Sequence, residues 1–307
     1  TTTAGTFNYY CVVSFSSGGC SDVNSGTIII IVDPDPTITT QPLVLNTICN
    51  NGTIPTPLDV VTAGGVGIAS YTWYENTNPP PSQVGTSPTF DPGALTVGTY
   101  QYYIEISFSG SGCDPVISNI AQIDVVPDPT ADQPLATQTV CQTGPGVAYA
   151  TADLITQGHG GVPGIPYNYE WFLNTTIPLS VGTVQIFTPP SDVVGTFEYY
   201  CTITQNPASS NCEISTPIST VIIDPSPIVT TPSQNVTVCV GGIISPLSVV
   251  PNGPGTITYE WFLDGATAQS VGTNPTYTPA TTTAGTFNYY CVLSFSSGGC
   301  SDVNSGT

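Results

Sequence analysis

Residues 281–307 repeat residues 1–27 with one change in 27 positions, Leu293 standing where the first copy has Val13. Identity of that order at an offset of 280 residues marks one turn of a long-period array, and it limits the chain to folds that a short unit can complete and then repeat. Inside the period lie three diverged copies of such a unit. The pattern Gly-Thr-aromatic begins at Gly5, Gly98, Gly195 and Gly285, spaced 93, 97 and 90 residues. Trp73, Trp171 and Trp261 recur with it, each preceded by a cysteine (Cys49, Cys141, Cys239). A second cysteine follows each Gly-Thr pattern, at Cys20, Cys113, Cys212 and Cys300.

The joints between copies are rich in Asp and Pro: Asp33-Pro34-Asp35-Pro36, Pro127-Asp128-Pro129 and Asp224-Pro225-Ser226-Pro227. Proline fixes φ and donates no hydrogen bond, so these read as short, semi-rigid linkers. The expected division is a C-terminal module fragment at 1–32, modules at 33–126 and 127–223, and a module at 224–307 lacking its last strand. That strand would match Ile28 to Val32, so the next copy would supply it. With no initiator Met and no basic leader segment, the chain reads as a window on a longer array.

Composition narrows the function. The 307 residues hold no Lys and no Arg against 20 Asp+Glu, for a formal charge of −20. Without cations the chain has nothing to neutralise phosphates, which excludes nucleic acid, and no basic patch for anionic lipid. It also lacks a P-loop or Schiff-base lysine and an arginine finger. No apolar run approaches the ~20 residues of a membrane helix, so no membrane insertion is expected in this segment. Charged residues are only 7% and apolar ones 39%, the opposite of a disordered composition.

Each module shows short alternating segments punctuated by Gly, Pro, Asn and Asp, and none has a sustained helical period. Tyr259, Trp261 and Leu263 share one face of a strand; Phe287, Tyr289, Cys291, Leu293 and Phe295 share one face of another. A Trp on a middle strand, followed about thirty residues later by Tyr-x-Cys, is an immunoglobulin-like arrangement with a tyrosine corner. The predicted fold is all-β: tandem immunoglobulin-like β-sandwich modules of about 90–98 residues in a linear array. Trp73, Trp171 and Trp261 are expected in the cores with Tyr102, Tyr199 and Tyr289, the hydroxyls of the latter capping backbone.

The cysteines leave two pairings open. In the module at 33–126 the Tyr-x-Cys position is Ile104, so a disulfide there would join Cys49 to Cys113. By analogy Cys141 would pair with Cys212 and Cys239 with Cys300, leaving Cys11, Cys201 and Cys291 as buried apolar residues. The alternative is the usual inter-sheet bridge to Cys201 or Cys291. Spacing cannot decide between them. Either implies an oxidising, extracellular compartment.

One string of motifs is complete in the last copy: Tyr-x-Trp-(Tyr/Phe) at Tyr259 to Phe262, Pro-Thr-aromatic-x-Pro at Pro275 to Pro279, Gly-Thr-x-x-Tyr-Tyr at Gly285 to Tyr290, and Ser-Gly-Gly-Cys at Ser297 to Cys300. It resembles the tandem immunoglobulin-like repeats of giant Bacteroidota cell-surface adhesins, of the SprB-like gliding-motility type. The resemblance covers essentially the whole chain. It implies export by type IX secretion, display as long filaments on the bacterial cell surface, and repeats that contribute length and contact surface to a motor-driven adhesin.

No catalytic constellation is expected. His159, the only histidine, lies in a Gly-rich insertion, Gly158-His159-Gly160-Gly161, and no serine elbow occurs. Acids are scattered one or two per strand, without the paired carboxylates of a glycosidase. No cofactor is expected, with one weak exception: Asp33, Asp35, Asp128, Asp132 and Asp224 could hold Ca²⁺ at the linkers, against the alternative that Asp-Pro makes a solvated turn. Tyr74 with Tyr103, Phe172 with Tyr200 and Phe262 with Tyr290 should meet on outward faces, as cross-strand pairs or as a row gripping sugars or surfaces. The sequons at Asn51, Asn174 and Asn235 read as chance matches.

The expected function is that of a repetitive extracellular stalk segment of a surface adhesin, not an enzyme. Partners would be other copies of the repeat and external surfaces or polysaccharide. A self-assembling filament, or a spacer carrying a distal catalytic or carbohydrate-binding domain, is the alternative. Strands of about ten residues put the 280-residue period at roughly 100–120 Å.

Overall fold

A computed structural model describes residues 3–110, 112–144, 150–205, 212–230 and 234–307. Every regular element among the described residues is a β-strand or bridge, and the fold is all-β with immunoglobulin-like modules in tandem. Two compact units form: Thr1–Pro129 with Gly160–Pro166 and Gln205–Glu213, and Thr130–His159 with Tyr167–Thr204 and Ile214–Thr307.

In the first unit, the module at 33–126 builds one sheet in the order Leu45–Cys49, Ala121–Val126, Gly98–Phe108, Ala69–Glu75, Ser82–Gly85. The first pair is parallel, with Cys49 opposite Val126, and the others are antiparallel. A facing layer pairs Thr37–Thr40 with Val61–Ala63 and bridges Leu58 to Phe90. Alternation decides what is inside. Tyr102, Ile104 and Ile106 of the long strand and Ala121, Ile123 and Val125 of its neighbour point into the core with Trp73, Ile48, Ile54 and Leu58. Trp73, Ile104, Ile106 and Ile123 are fully buried, each stabilising the module by about 1.5–3 kcal/mol.

The Gly-Thr-aromatic pattern has a local cause. Gly5, Gly98, Gly195 and Gly285 start their segments at φ +156°, +158°, +154° and +157°, a conformation that side chains rarely adopt. The aromatic ring two residues on folds back over each glycine: Phe7, Tyr100, Phe197 and Phe287 approach the place of a Cβ within 3.2–3.7 Å.

The fragment at 1–32 pairs Gly5–Tyr9 with Ile28–Val32, Gly5 opposite Val32, in the register that sets Gly98 opposite Val125. Without the remainder of a module its apolar residues lie bare, including Tyr9, Tyr10, Val12, Val13, Phe15 and Ile28 to Ile31.

In the second unit, the module at 127–223 repeats the sheet order: Thr137–Cys141, Ser219–Asp224, Gly195–Gln205, Tyr167–Leu173, Leu179–Gly182. The module at 224–307 has a four-stranded sheet, Gln269–Gly272, Ile257–Asp264, Asn288–Phe295, Val303–Asn304. Among its described residues it has no counterpart of Ala121–Val126, and the segment that corresponds to Leu45–Cys49 runs without a strand partner, its Val236, Val238 and Val240 exposed.

Candidate functional site

The cysteines join successive modules. Cys49 bonds to Cys212 and Cys141 to Cys300, each with Cα atoms 5.1 Å apart and with partners 163 and 159 positions apart in sequence. This corrects the expected Cys49–Cys113, Cys141–Cys212 and Cys239–Cys300 pairs; Cys113 and Cys239 are free thiols. Strand register gives the reason. Cys49 lies opposite Val126, at the end of the sheet where Gly98 begins its strand. Cys113 follows Phe108, at the other end of that 11-residue strand, roughly 35 Å away at ~3.3 Å per residue. A disulfide tolerates no more than about 7 Å between Cα atoms. The turn carrying the late cysteine therefore reaches the preceding module's linker end and not its own. The alternative inter-sheet bridge is also absent: Cys201 and Cys291 are fully buried free thiols.

Each bond has a built seat. Cys49 and Cys212 form a small apolar cluster with Val162, backed by Val126 and Ile165. Gln205, 2% exposed, holds this loop: its Oε1 accepts from the Val162 amide at 2.8 Å, and its Nε2 donates to the Val162 and Ile165 carbonyls at 3.1 and 2.8 Å. The Gly-rich insertion noted in the sequence thus leads into the loop that covers the bond. At the second bond, Gly298 (φ +67°) lies so close to Val140 and Cys141 that a Cβ would meet backbone atoms at 3.1–3.3 Å. Ser297 donates to Asp224 Oδ2 at 2.6 Å, Ser226 to the Gln142 carbonyl at 2.7 Å, and the Gln142 amide to the Asp224 carbonyl at 2.7 Å.

The core aromatics form a three-ring stack in each module. Trp73, Trp171 and Trp261 stack on Phe90, Phe187 and Tyr277 (5.8, 5.9 and 6.2 Å), which lean on Tyr102, Tyr199 and Tyr289 (5.2, 5.4 and 5.5 Å). Each indole N–H donates to a backbone carbonyl, of Ser87, Val184 and Asn274. The middle ring belongs to the Pro-Thr-aromatic motif in the modules at 33–126 and 224–307, a role that the motif's sequence alone does not disclose. The hydroxyl bond expected of Tyr102 is made instead by Tyr100, which donates to the Thr96 carbonyl at 3.1 Å. Burial pushes the Tyr102, Tyr199 and Tyr289 hydroxyls up in pKa. It lifts the Cys201 thiol to about 11 and raises that of Cys291. Cys11, expected to be buried, is exposed because the fragment at 1–32 has no facing layer.

On the outer faces Tyr74 stacks on Tyr103, Phe172 on Tyr200 and Phe262 on Tyr290, at 5.1, 5.3 and 5.2 Å with planes within 15–19°. All six rings are half-buried.

The linker acids do not gather. Among the described residues no three His, Cys, Asp or Glu groups could hold a metal ion together. Asp224 accepts from Ser297, and Asp132 Oδ1 lies 3.1 Å from His159 Nε2, both side chains exposed. Asp33 and Asp35 flank Pro34, whose carbonyl accepts from Gly65, and Asp128 Oδ1 is buried without a hydrogen-bond partner. An open groove of ≈ 460 Å³ is lined by Tyr167, Tyr169, Glu170, Gln185 and Thr202.

No family model and no curated protein matches the chain. Solved structures do, as folds. The I-band fragment I67–I69 from titin is 13% identical, over 88% of this chain and 96% of that one, with a TM-score of 0.46. Three N-terminal domains of the bacteriophage RB49 highly immunogenic outer capsid protein are 14% identical over 89% and 95%, TM-score 0.41. Drosophila OTK extracellular domains 3–5 are 15% identical over 88% and 95%, TM-score 0.37.

Proposed function

We propose that the chain is a load-bearing stalk segment of a bacterial cell-surface adhesin, of the gliding-motility type, working outside the cell and doing no catalysis. The observation that carries this reading is the pair of overlapping disulfides between successive modules. Disulfides are made and kept in oxidising compartments. Bonds that cross from one module to the next add little to either core, yet they keep neighbours attached when a joint is pulled. A spacer that only separates two domains gains nothing from them. The absence of Lys and Arg fits the same setting: it leaves no site for trypsin-like proteases and a uniformly acidic surface that repels its neighbours. Type IX secretion is the export route this reading carries with it. Adhesion to external surfaces or polysaccharide would use the stacked aromatic pairs or a tip elsewhere.

Immunoelectron microscopy of source cells with an antibody to this segment tests the proposal. Single threads decorated at roughly 100–120 Å intervals, the period expected from strand rise, support it. Label confined to multi-chain fibres with regular lateral contacts would favour the self-assembling filament instead, and intracellular label would exclude both.

A further inference from the structure

We infer that Cys239 and Cys113 are the two halves of one further inter-module disulfide, formed between one copy of this chain and a second copy joined to it head to tail. The inference rests on the stalk reading and names the partner of its open end.

The same 27-residue segment appears twice in the structure in two states. In the second appearance Cys300 is bonded to Cys141; in the first its twin Cys20 is free and exposed. The position is therefore a bonding position whenever a preceding module is there to meet it. Cys113 holds that position in the module at 33–126, and Cys239 holds the position of Cys49 and Cys141 in the module at 224–307. One period on, the counterpart of Cys113 would follow Cys239 by 154 residues, beside 163 and 159 for the bonds already formed.

The strands around these thiols are complementary in the same sense. Asn288–Phe295 lacks the neighbour that Ala121–Val126 gives to Gly98–Phe108, and Val236, Val238 and Val240 are exposed beside Cys239. Ile28–Val32 is a strand of the missing kind, with Ile28 to Ile31 48–66% exposed. It now pairs with Gly5–Tyr9, and Gly285 to Tyr289 of another copy has the identical sequence. Exchange of Ile28–Val32 onto a second copy therefore keeps its pairing residues and adds a module core, a strand swap between like partners.

The bond forms by thiol–disulfide exchange. One thiolate attacks a small disulfide such as glutathione disulfide and releases one thiol. The second thiolate then displaces the other, so two thiols lose two protons and two electrons and the oxidant leaves as two thiols.

The test is incubation of the concentrated chain with glutathione disulfide, followed by non-reducing electrophoresis and disulfide mapping with acid-specific and aromatic-specific proteases. Wild-type chains are expected to form disulfide-linked multimers containing the Cys239–Cys113 peptide pair. Cys239→Ser and Cys113→Ser chains are each expected to stay unlinked alone and to give a dimer, and nothing larger, when mixed. Monomers throughout, or Cys239 bonded to Cys300, to Cys20 or to another Cys239, overturn the inference. The Cys49–Cys212 and Cys141–Cys300 peptides are read in the same map. If they are present while Cys239–Cys113 is missing, only this inference falls; if they are absent, the interlocked stalk falls as well.

Discussion

Cys49 lies 5.1 Å from Cys212 at Cα although 163 residues separate them, while Cys113, 64 residues away, sits at the opposite end of the same sheet. The bond is thus a property of the joint between modules. It overlaps the next one, since Cys141 lies within the first loop and its partner Cys300 beyond it. Every stretch of chain from Cys49 to Cys300 is spanned by at least one disulfide.

Replacing Cys49 and Cys212 together by Ser removes one such link without leaving a stray thiol. The expected cost is about 2–4 kcal/mol, the usual range for a native disulfide. Urea unfolding of the double variant against the parent measures it, and Cys11→Ser, whose thiol is free and exposed, serves as the neutral control.

Gln205 should decide how well the first bond is protected. Gln205→Ala leaves the Val162 N–H and two carbonyls without their partner, at about 1–3 kcal/mol. With the loop loosened, Cys49–Cys212 is expected to be reduced by dithiothreitol several-fold faster than in the parent, with Cys141–Cys300 unchanged. Equal rates in parent and variant would mean that the loop does not shield the bond.

What the sequence disclosed and what it withheld separate along one line. Alternation and repeat spacing reveal which residues face inward, so Trp73, Trp171, Trp261, Tyr102 and Tyr199 are legible as core residues and the outer aromatic pairs as neighbours, while Tyr289 is only half-buried. Local patterns do not say which end of a sandwich a residue occupies. Within its own module Cys49 has only Cys113 as a possible partner, and only the parallel register of Leu45–Cys49 on Ala121–Val126 shows that the two are a strand's length apart. The role of the Gly-rich insertion before Trp171 is hidden for the same reason: the bond that the loop after it covers reaches Cys49, in the preceding module.

Trp171→Ala empties the centre of a three-ring stack, and the loss is expected at about 3–5 kcal/mol, the range for large aromatic deletions in cores. Each complete stack has one Trp, so fluorescence of Trp73 and Trp261 reports the other modules directly. Their unfolding midpoints should move far less than the circular-dichroism signal of the altered module.

Buried acids set the alkaline limit. An unfolded Cys201 thiol ionises near its ordinary value of 9.0, whereas the folded one holds its proton to about 11; the buried Cys291 and Tyr102 shift the same way. A raised pKa contributes stability that is complete below the unfolded value and is lost as pH climbs through the folded one. Urea midpoints should therefore be level between pH 7 and 8.5 and lower at pH 10. At pH 8, Cys20 and Cys239 should react with a maleimide in the native chain, and Cys201 and Cys291 only after unfolding.

Single-molecule extension of the chain by its two ends tests the load-bearing role most directly. With both bonds intact, the shortest covalent route from Cys49 to Cys300 crosses the first disulfide to Cys212, runs back along the chain to Cys141 and crosses the second disulfide to Cys300. The segments from Cys49 to Cys141 and from Cys212 to Cys300 then stay out of the pulled length, and only the stretch between Cys141 and Cys212 bears load. Adding reductant should lengthen the fully extended chain by roughly 590–650 Å, at ~3.3–3.6 Å per residue. An extended length that is the same before and after reduction would contradict the interlocked stalk.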